Sequence, residues 1–244
     1  MSIFKAIFHR EFMSYFATPI ALIFLTVFLV LTGFFTFKLG GFFEQGQADL
    51  RTFFVWHPWL YLFIIPAVSM RLWAEERRTG TIELLLTLPV TLSGAMLAKF
   101  FAAWAFIVLA VILTCPIVFT VLYLGEPDLG VIIAGYFGSI LMAGAFLSIG
   151  CCLSACTSNQ VISFVLSTFV CLLFILVGSD PVVRLFEGVF PAGFVSQMVN
   201  LSFPYHFEAI QRGVINLSDV VYFISVMAFS LYAGIIILER KKAD

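Results

Sequence analysis

The chain has 244 residues, of which 62% are hydrophobic and only 11% charged, with 30 phenylalanines and a mean hydropathy of +1.09. Soluble domains carry about 45–50% apolar and about 25% charged residues, and so short a chain cannot enclose that much apolar surface; a soluble enzyme and a disordered chain are both excluded. With 13 Lys and Arg against 14 Asp and Glu, nothing points to nucleic acid, and the composition is that of an all-α integral membrane protein.

Residues 1–17 are expected to form an interfacial helix. Phe4, Ile7, Phe8, Phe12 and Tyr15 share one helical arc, with Ser2, Lys5 and His9 opposite, as in a helix lying in the membrane surface. Glu11 falls inside the apolar arc, where a carboxylate is costly against lipid and better suited to a protein partner. The chain then turns inward at Thr18-Pro19. The 26 uncharged residues between Glu11 and Lys38 exceed the roughly 20 that one crossing needs, which predicts a first span at about 18–37. No small-x-small site follows, so the stretch reads as a span and not as a cleavable leader. The 19 uncharged residues between Arg51 and Arg71 predict a second, at about 53–70. Within it Trp56, Trp59 and Tyr61 read as an aromatic belt at the membrane surface. His57 is either part of that belt or a proton relay.

The following loop is the most informative segment. Glu75-Glu76-Arg77-Arg78 is a mixed-charge patch that ends at Gly80, where glycine permits a sharp turn. Thr81 suits an N-cap, and Pro89 stops the short leucine-rich helix between them. About two turns are too short to cross a bilayer. Such a helix beside a charge patch suits a knob inserted into a groove on a partner.

Spans three to six follow at about 100–123, 131–155, 161–178 and 220–238. The middle two come from 51 consecutive uncharged residues, Leu129 to Ser179, divided by the polar break Thr157-Ser158-Asn159-Gln160. The segment 188–207 is also uncharged, but Pro191, Pro204, Gln197 and Asn200 suit a re-entrant or interfacial pair of short helices within an external stretch, 180–218. Six spans place nine Lys and Arg residues on the side of both termini and four on the other, the bias of a chain whose termini are cytoplasmic. The five cysteines lie in or beside apolar runs without the company of a zinc or disulfide framework, and read as packing residues.

The segment Glu75-Glu76-Arg77-Arg78-Thr79-Gly80-Thr81-Ile82-Glu83-Leu84-Leu85-Leu86-Thr87-Leu88-Pro89-Val90-Thr91 resembles the coupling-helix region of type-two ATP-binding-cassette permeases. Arg10-Glu11-Phe12-Met13-Ser14-Tyr15-Phe16-Ala17-Thr18-Pro19 resembles that family's interfacial elbow helix. The stretch from Pro204-Tyr205-His206-Phe207-Glu208 through Arg212-Gly213 to Tyr222-Phe223 is similar to the segment before the last span in the subgroup named after gliding motility. The resemblance runs along the whole chain. It implies a single permease domain, 1–244, that pairs with a second permease subunit, in a homodimer or a heterodimer. Two separate ATPase subunits would bind the ATP and magnesium and dock against Glu11, Glu75, Glu76, Arg77, Arg78, Gly80, Thr81, Glu83 and Leu85. A periplasmic accessory protein is compatible with it. The location it implies is a bacterial plasma membrane. No Gly-x-x-x-x-Gly-Lys-[Ser/Thr] phosphate loop occurs in the chain, so no cofactor is expected here and ATP chemistry belongs to a partner. His206, Glu208 and Arg212 are neighbours that either gate an external exit or satisfy one another.

Three other classes compete with a permease of an ATP-driven exporter. An ion-coupled carrier and a membrane-embedded enzyme should show charged or convergent polar groups within the spans, and the predicted spans hold none. A mechanotransmission anchor that transports nothing remains open, since its ATPase dependence would look the same.

Overall fold

A lipid environment offers no hydrogen bonds to the backbone, so a spanning chain must satisfy its own amides within helices or closed barrels. The computed structural model describes residues 3–44, 46, 49–81, 91–187 and 190–243, and among them every regular element is a helix. In order these are α1 (Ile3–Ala17), α2 (Pro19–Phe34, continued by a π turn over Phe35–Leu39), α3 (Arg51–Val55), α4 (His57–Ser69), α5 (Ala74–Thr79), α6 (Leu92–Ile112) and α7 (Pro116–Leu124). There follow α8 (Leu129–Cys156), α9 (Gln160–Leu176), α10 (Asp180–Glu187), α11 (Ala192–Val199), α12 (Phe203–Gln211) and α13 (Leu217–Ala243).

Among the described residues four helices are long and apolar enough to cross a membrane: Ala21–Leu39, Leu92–Leu124, Leu129–Cys156 and Leu217–Arg240. The pair α9 and α10, bent by 68°, counts as a fifth where it is taken as one broken span. The remaining expected span, about 53–70, is divided at Trp56 into α3 and α4. Pro58 cannot donate a hydrogen bond back into α3, and the His57 ring instead lies 3.1 Å from the Phe53 carbonyl through Nδ1. The thirteen residues of α4 extend about 20 Å at 1.5 Å per residue. The expected helix at 100–123 starts earlier, at Leu92, where the Thr91 hydroxyl accepts from Gly94 N. It breaks over Leu113–Cys115 ahead of Pro116, for the same reason. In the outer stretch Pro191 and Pro204 sit at the starts of α11 and α12, where a missing N–H costs no helical bond.

The core is built around α8. In its apolar window 78% of the residues are buried, and α4, α6, α9, α12 and α13 all pack on it. A helix enclosed on every side needs no polar face, but it needs small residues where its neighbours come closest. Gly150 marks the tightest such point. A Cβ there would collide with the side chain of Ser69 on α4, a residue with no solvent exposure. The aromatic expectation for α4 is corrected in the same region. Trp59 is exposed as a belt residue would be, but Tyr61 is buried and hydrogen-bonds Ser139 of α8 at 2.5 Å. His57 is enclosed by Phe28, Phe53, Phe54 and Tyr61, so it is a core residue. No disulfide joins the cysteines among the described residues, and Cys151 and Cys171 are buried.

Gly150→Leu should therefore drive α4 off α8. Overpacking of this kind costs about 1–3 kcal/mol, and thermal unfolding of the detergent-solubilised protein should show a clearly lowered midpoint. Gly193→Leu, at a site with open space around its Cα, should leave the midpoint unchanged.

Candidate functional site

The residues expected to meet a partner gather where α1, the loop after α4 and the start of α6 converge. Helix α1 ends at Ala17, and its apolar arc packs along α6: Tyr15 stacks on Phe106 at 4.7 Å, and Phe4 meets Phe101 edge-on at 6.5 Å. That packing brings Glu11 to the flank of α6, beside Lys99.

Lys99 is the residue the sequence reading missed. Its side chain is 2% exposed, and its Nζ donates to Glu76 Oε1 at 2.7 Å and to the Leu72 carbonyl at 3.0 Å. Glu11 Oε1 lies 3.4 Å away, and the ammonium sits 5.0 Å from the Trp73 ring centroid. An ammonium has three protons to place; two meet the Glu76 and Leu72 oxygens, and the Glu11 carboxylate and an aromatic face lie beside the charge. Arg10 closes the cluster from outside, 2.8 Å from Glu11 and 3.8 Å from Glu76. Glu11, read as a contact for a partner, is thus paired inside the chain. The same holds for Glu76, whose Oε2 is buried without a hydrogen bond among the described residues. A crevice of about 290 Å³ opens beside them, lined by Ser14, Tyr15, Thr18, Arg71 and Glu75. Desolvation, and then the Glu11 carboxylate, push the Tyr15 phenol above its ordinary range, so it stays neutral.

The loop itself is fastened to the last turn of α8. Ser154 Oγ accepts from the backbone N–H groups of Trp73 and Ala74, both at 3.1 Å, and donates to the Met70 carbonyl. Those two amides belong to the start of α5, where a helix has no carbonyls of its own to offer. Arg77 donates to the Ala155 carbonyl at 2.7 Å, capping α8 at the end where cations are favourable. Arg77 is therefore engaged inside the chain, at the end of α8. Arg71 pairs with Glu75 at 3.3 Å, and Arg78 is exposed. Gly80 ends α5 in the left-handed region, φ 72° and ψ 3°, a conformation that glycine adopts at little cost. The Thr81 hydroxyl turns back on α5, 3.0 Å from that of Thr79 and donating to the Glu76 carbonyl at 3.4 Å, and the helix it was expected to cap lies outside the described residues. Glu83, Leu85 and the short leucine-rich helix expected before Pro89 lie outside the described residues.

At the opposite end, His206, Glu208 and Arg212 line one cavity of about 530 Å³ but do not form one cluster. Glu208 and Arg212 pair with each other on the exposed side of α12. His206 turns inward to Asp219 at the start of α13, 2.6 Å away. No sequence spacing announces that pair, because the two residues sit on separate helices thirteen positions apart. Among the described residues no group of His, Cys, Asp or Glu side chains is placed to hold a metal ion.

Residues 8–178 match the family described as ABC-2 family transporter protein. The chain belongs to that family. The match covers about seven-tenths of its length, from α1 to the end of α9, and includes the whole Glu11–Lys99–Glu76 cluster. No curated protein matches the chain. This ABC-2 permease is thus the multi-pass membrane subunit of an ABC transporter, a subunit type generally not itself catalytic, that works with an ABC ATPase partner.

Lys99→Met in the permease should leave Glu11 and Glu76 facing one another with only the exposed Arg10 beside them. Removing one partner of a buried pair costs about 3–5 kcal/mol, so the variant should unfold at markedly lower temperature. The double variant Lys99→Met/Glu76→Gln, which removes the facing charge as well, should recover part of the loss. An unchanged midpoint in Lys99→Met would show that the cluster does not hold α1 and the loop to α6.

Proposed function

We propose that this permease couples ATP hydrolysis by two ATPase subunits to export across a bacterial plasma membrane, acting as a pair of permease subunits. The ATPases, which would carry the ATP and magnesium, dock against the charged end built from α1, α5 and the segment 75–91. The observation that carries this reading is the double fastening of α5. One side of the helix is tied through Glu76 and Lys99 to α1 and α6, and the other through Ser154 and Arg77 to α8. A displacement of the loop is therefore communicated to three helices at once. Gly80 then sets the direction in which the following residues leave that anchor.

Six spans with both termini on the cytoplasmic side are part of the proposal. The second crossing would be α3 and α4 together, and α9 would cross with α10 turned along the outer surface. The nine-to-four distribution of Lys and Arg supports it, since the charged end then lies where the ATPases are. The likeness of 204–223 to the gliding-motility subgroup supports membership there.

Two experiments test the reading. A reporter fused after Asp244 should report a cytoplasmic location and one inserted at Glu126 an external one; the reverse pattern would place the charged end away from any ATPase. For coupling, a β-branched residue in the left-handed region costs about 1–3 kcal/mol, enough to shift the loop's orientation about tenfold in population. Gly80→Val should insert and fold normally, since open space surrounds the site. In vesicles reconstituted with the ATPase it should retain ATP hydrolysis while losing most transport. Normal transport by Gly80→Val would remove the loop as the transmitting element.

A further inference from the structure

The pair His206–Asp219 presents a problem of proton counting. His206 Nδ1 lies 2.6 Å from Asp219 Oδ1, and Nε2 lies 2.8 Å from the carbonyl oxygen of Asn200. A carbonyl only accepts, and an ionised carboxylate only accepts. A neutral imidazole has one N–H, so it can serve one of these contacts and must turn a lone pair toward the other. Both contacts are satisfied only if the pair holds one more proton, either as imidazolium with carboxylate or as neutral imidazole with a protonated acid. The surroundings favour the charged form. The Tyr222 ring is stacked on the imidazole at 3.9 Å, a face that attracts a cation, and Asn216 Nδ2 donates to Asp219 Oδ2 at 3.2 Å. Asp219 also lies in the first turn of α13, where the helix dipole favours negative charge.

What the pair joins is specific. Helix α12 is seated on α8 and α9 by apolar contacts: Phe203 lies against Phe146 and Phe174, at 4.9 and 4.8 Å, and Ile210 covers Gly138. Its polar ties to α13 run through His206 and, nearby, through the Tyr222 hydroxyl donating to the Leu201 carbonyl at 2.5 Å. The cavity of about 530 Å³ borders the pair and gives protons a route to side chains that are about 10% exposed.

We propose that His206 and Asp219 form a proton-dependent latch, which holds α12 and the preceding turn on the start of α13 when the extra proton is bound and releases them when it leaves. The sign follows from linkage: above the ordinary imidazole range the latched state keeps a proton that the unlatched one has lost, so the latch is strongest at low pH and weakens as pH rises through and beyond that range. Other ionisable groups face the imidazole from each side. On α12 these are Tyr205, edge-on at 5.3 Å, and the Glu208–Arg212 pair; on α13 they are Asp219 and Tyr222. Helices α8 and α9 meet α12 with Gly138, Phe146 and Phe174. Glu208 and Arg212 neutralise one another, which leaves His206 and Asp219 as the titrating unit. The inference stands apart from ATP coupling and would survive its failure.

The test is hydrogen–deuterium exchange of the full chain in lipid nanodiscs between about pH 5.5 and about pH 8.5, bracketing the ordinary imidazole range, with intrinsic exchange rates corrected for pH. In the wild type, protection over 201–219 should fall with rising pH by up to about tenfold per pH unit, the slope of one released proton. In Asp219→Asn the side-chain amide can either donate or accept, so it accommodates neutral histidine; protection should become independent of pH and exceed that of the wild type at the alkaline end. His206→Gln should also be flat. If His206→Gln fails to fold, nitrogen-15 spectra of the wild-type rings at about pH 6 decide the matter, with Asp219→Asn identifying the His206 signals by their displacement. The proposal is overturned if protection in the wild type does not change with pH, if the slope persists in Asp219→Asn, or if His206 has a single N–H at about pH 6 beside an ionised Asp219.

Discussion

A helix packed among other helices over most of its surface can turn only a small face to lipid, and α8, whose exposed large side chains are Leu129, Ile133 and Phe137, imposes that constraint on everything else in the molecule. Its neighbours approach closely only because glycine, alanine and serine recur along it, Gly150 against Ser69 being the tightest case. Between helices in lipid no hydrophobic gain is available, and close packing and a few polar contacts do the holding. The polar contacts of α8 fall in its first half and in its last two turns. Ser139 takes the Tyr61 hydroxyl toward one end, while Ser154 and the Ala155 carbonyl take the loop and Arg77 at the other. Both functional regions are thus attached to the same rigid rod, the loop directly and α12 through Gly138.

The charged cluster follows from a different constraint. An ammonium with 2% exposure must be given acceptors or lose its charge. Lys99 is satisfied by two separate pieces of chain: α1, through Glu11, and the segment that follows α4, through the Leu72 carbonyl and the Glu76 carboxylate. Replacing such a group by an apolar side chain is often neutral for stability when all of its partners change together. Its value here lies in geometry, because a point charge held by directed contacts fixes the distance between α1, α5 and α6 in a way that leucine packing would not. The exposed pairs Arg71–Glu75 and Glu208–Arg212 fix nothing comparable, since exposed pairs contribute about 0–1 kcal/mol and are easily exchanged for water.

The sequence was most legible where polar residues mark boundaries. The ends of α1, α8 and α9 fall where Thr18-Pro19, the break Thr157–Gln160 and Ser179 suggested, because polar residues that cap helices also stop hydrophobic runs: Asp128 and Asn159 both accept from the first amides of their helices. Gly80 was legible for the same local reason, a glycine after a charged turn. Interruptions inside apolar runs were not. Pro58 and Pro116 break hydrogen bonds without altering hydropathy, so the runs around them read as single spans. Pairings between distant segments were also hidden. Lys99 stands at the edge of an uncharged stretch and reads as a loop cation, and His206 has Glu208 and Arg212 so near in sequence that Asp219 is overlooked. Tyr61 failed in the opposite way, since a tyrosine beside two tryptophans resembles a belt until its hydroxyl is seen to have a partner in the core.

The position of Lys99 also bears on which class of membrane protein this is. The longest apolar helical stretch, Leu92–Leu124, does contain a charge, so the absence of intramembrane charges does not by itself argue against an ion-coupled carrier. The argument has to rest on what the charge does. Charged groups in an ion pathway face a cavity between spans and meet partners that can change. Lys99 lies in the second turn of α6, about 10 Å from its start at 1.5 Å per residue, and every acceptor it uses belongs to α1, to Glu76 or to the chain end of α4 at Leu72. None of these comes from the middle of a span. A lysine so placed joins the membrane helices to the elements outside them, at the charged end where the proposed coupling to an ATPase would act.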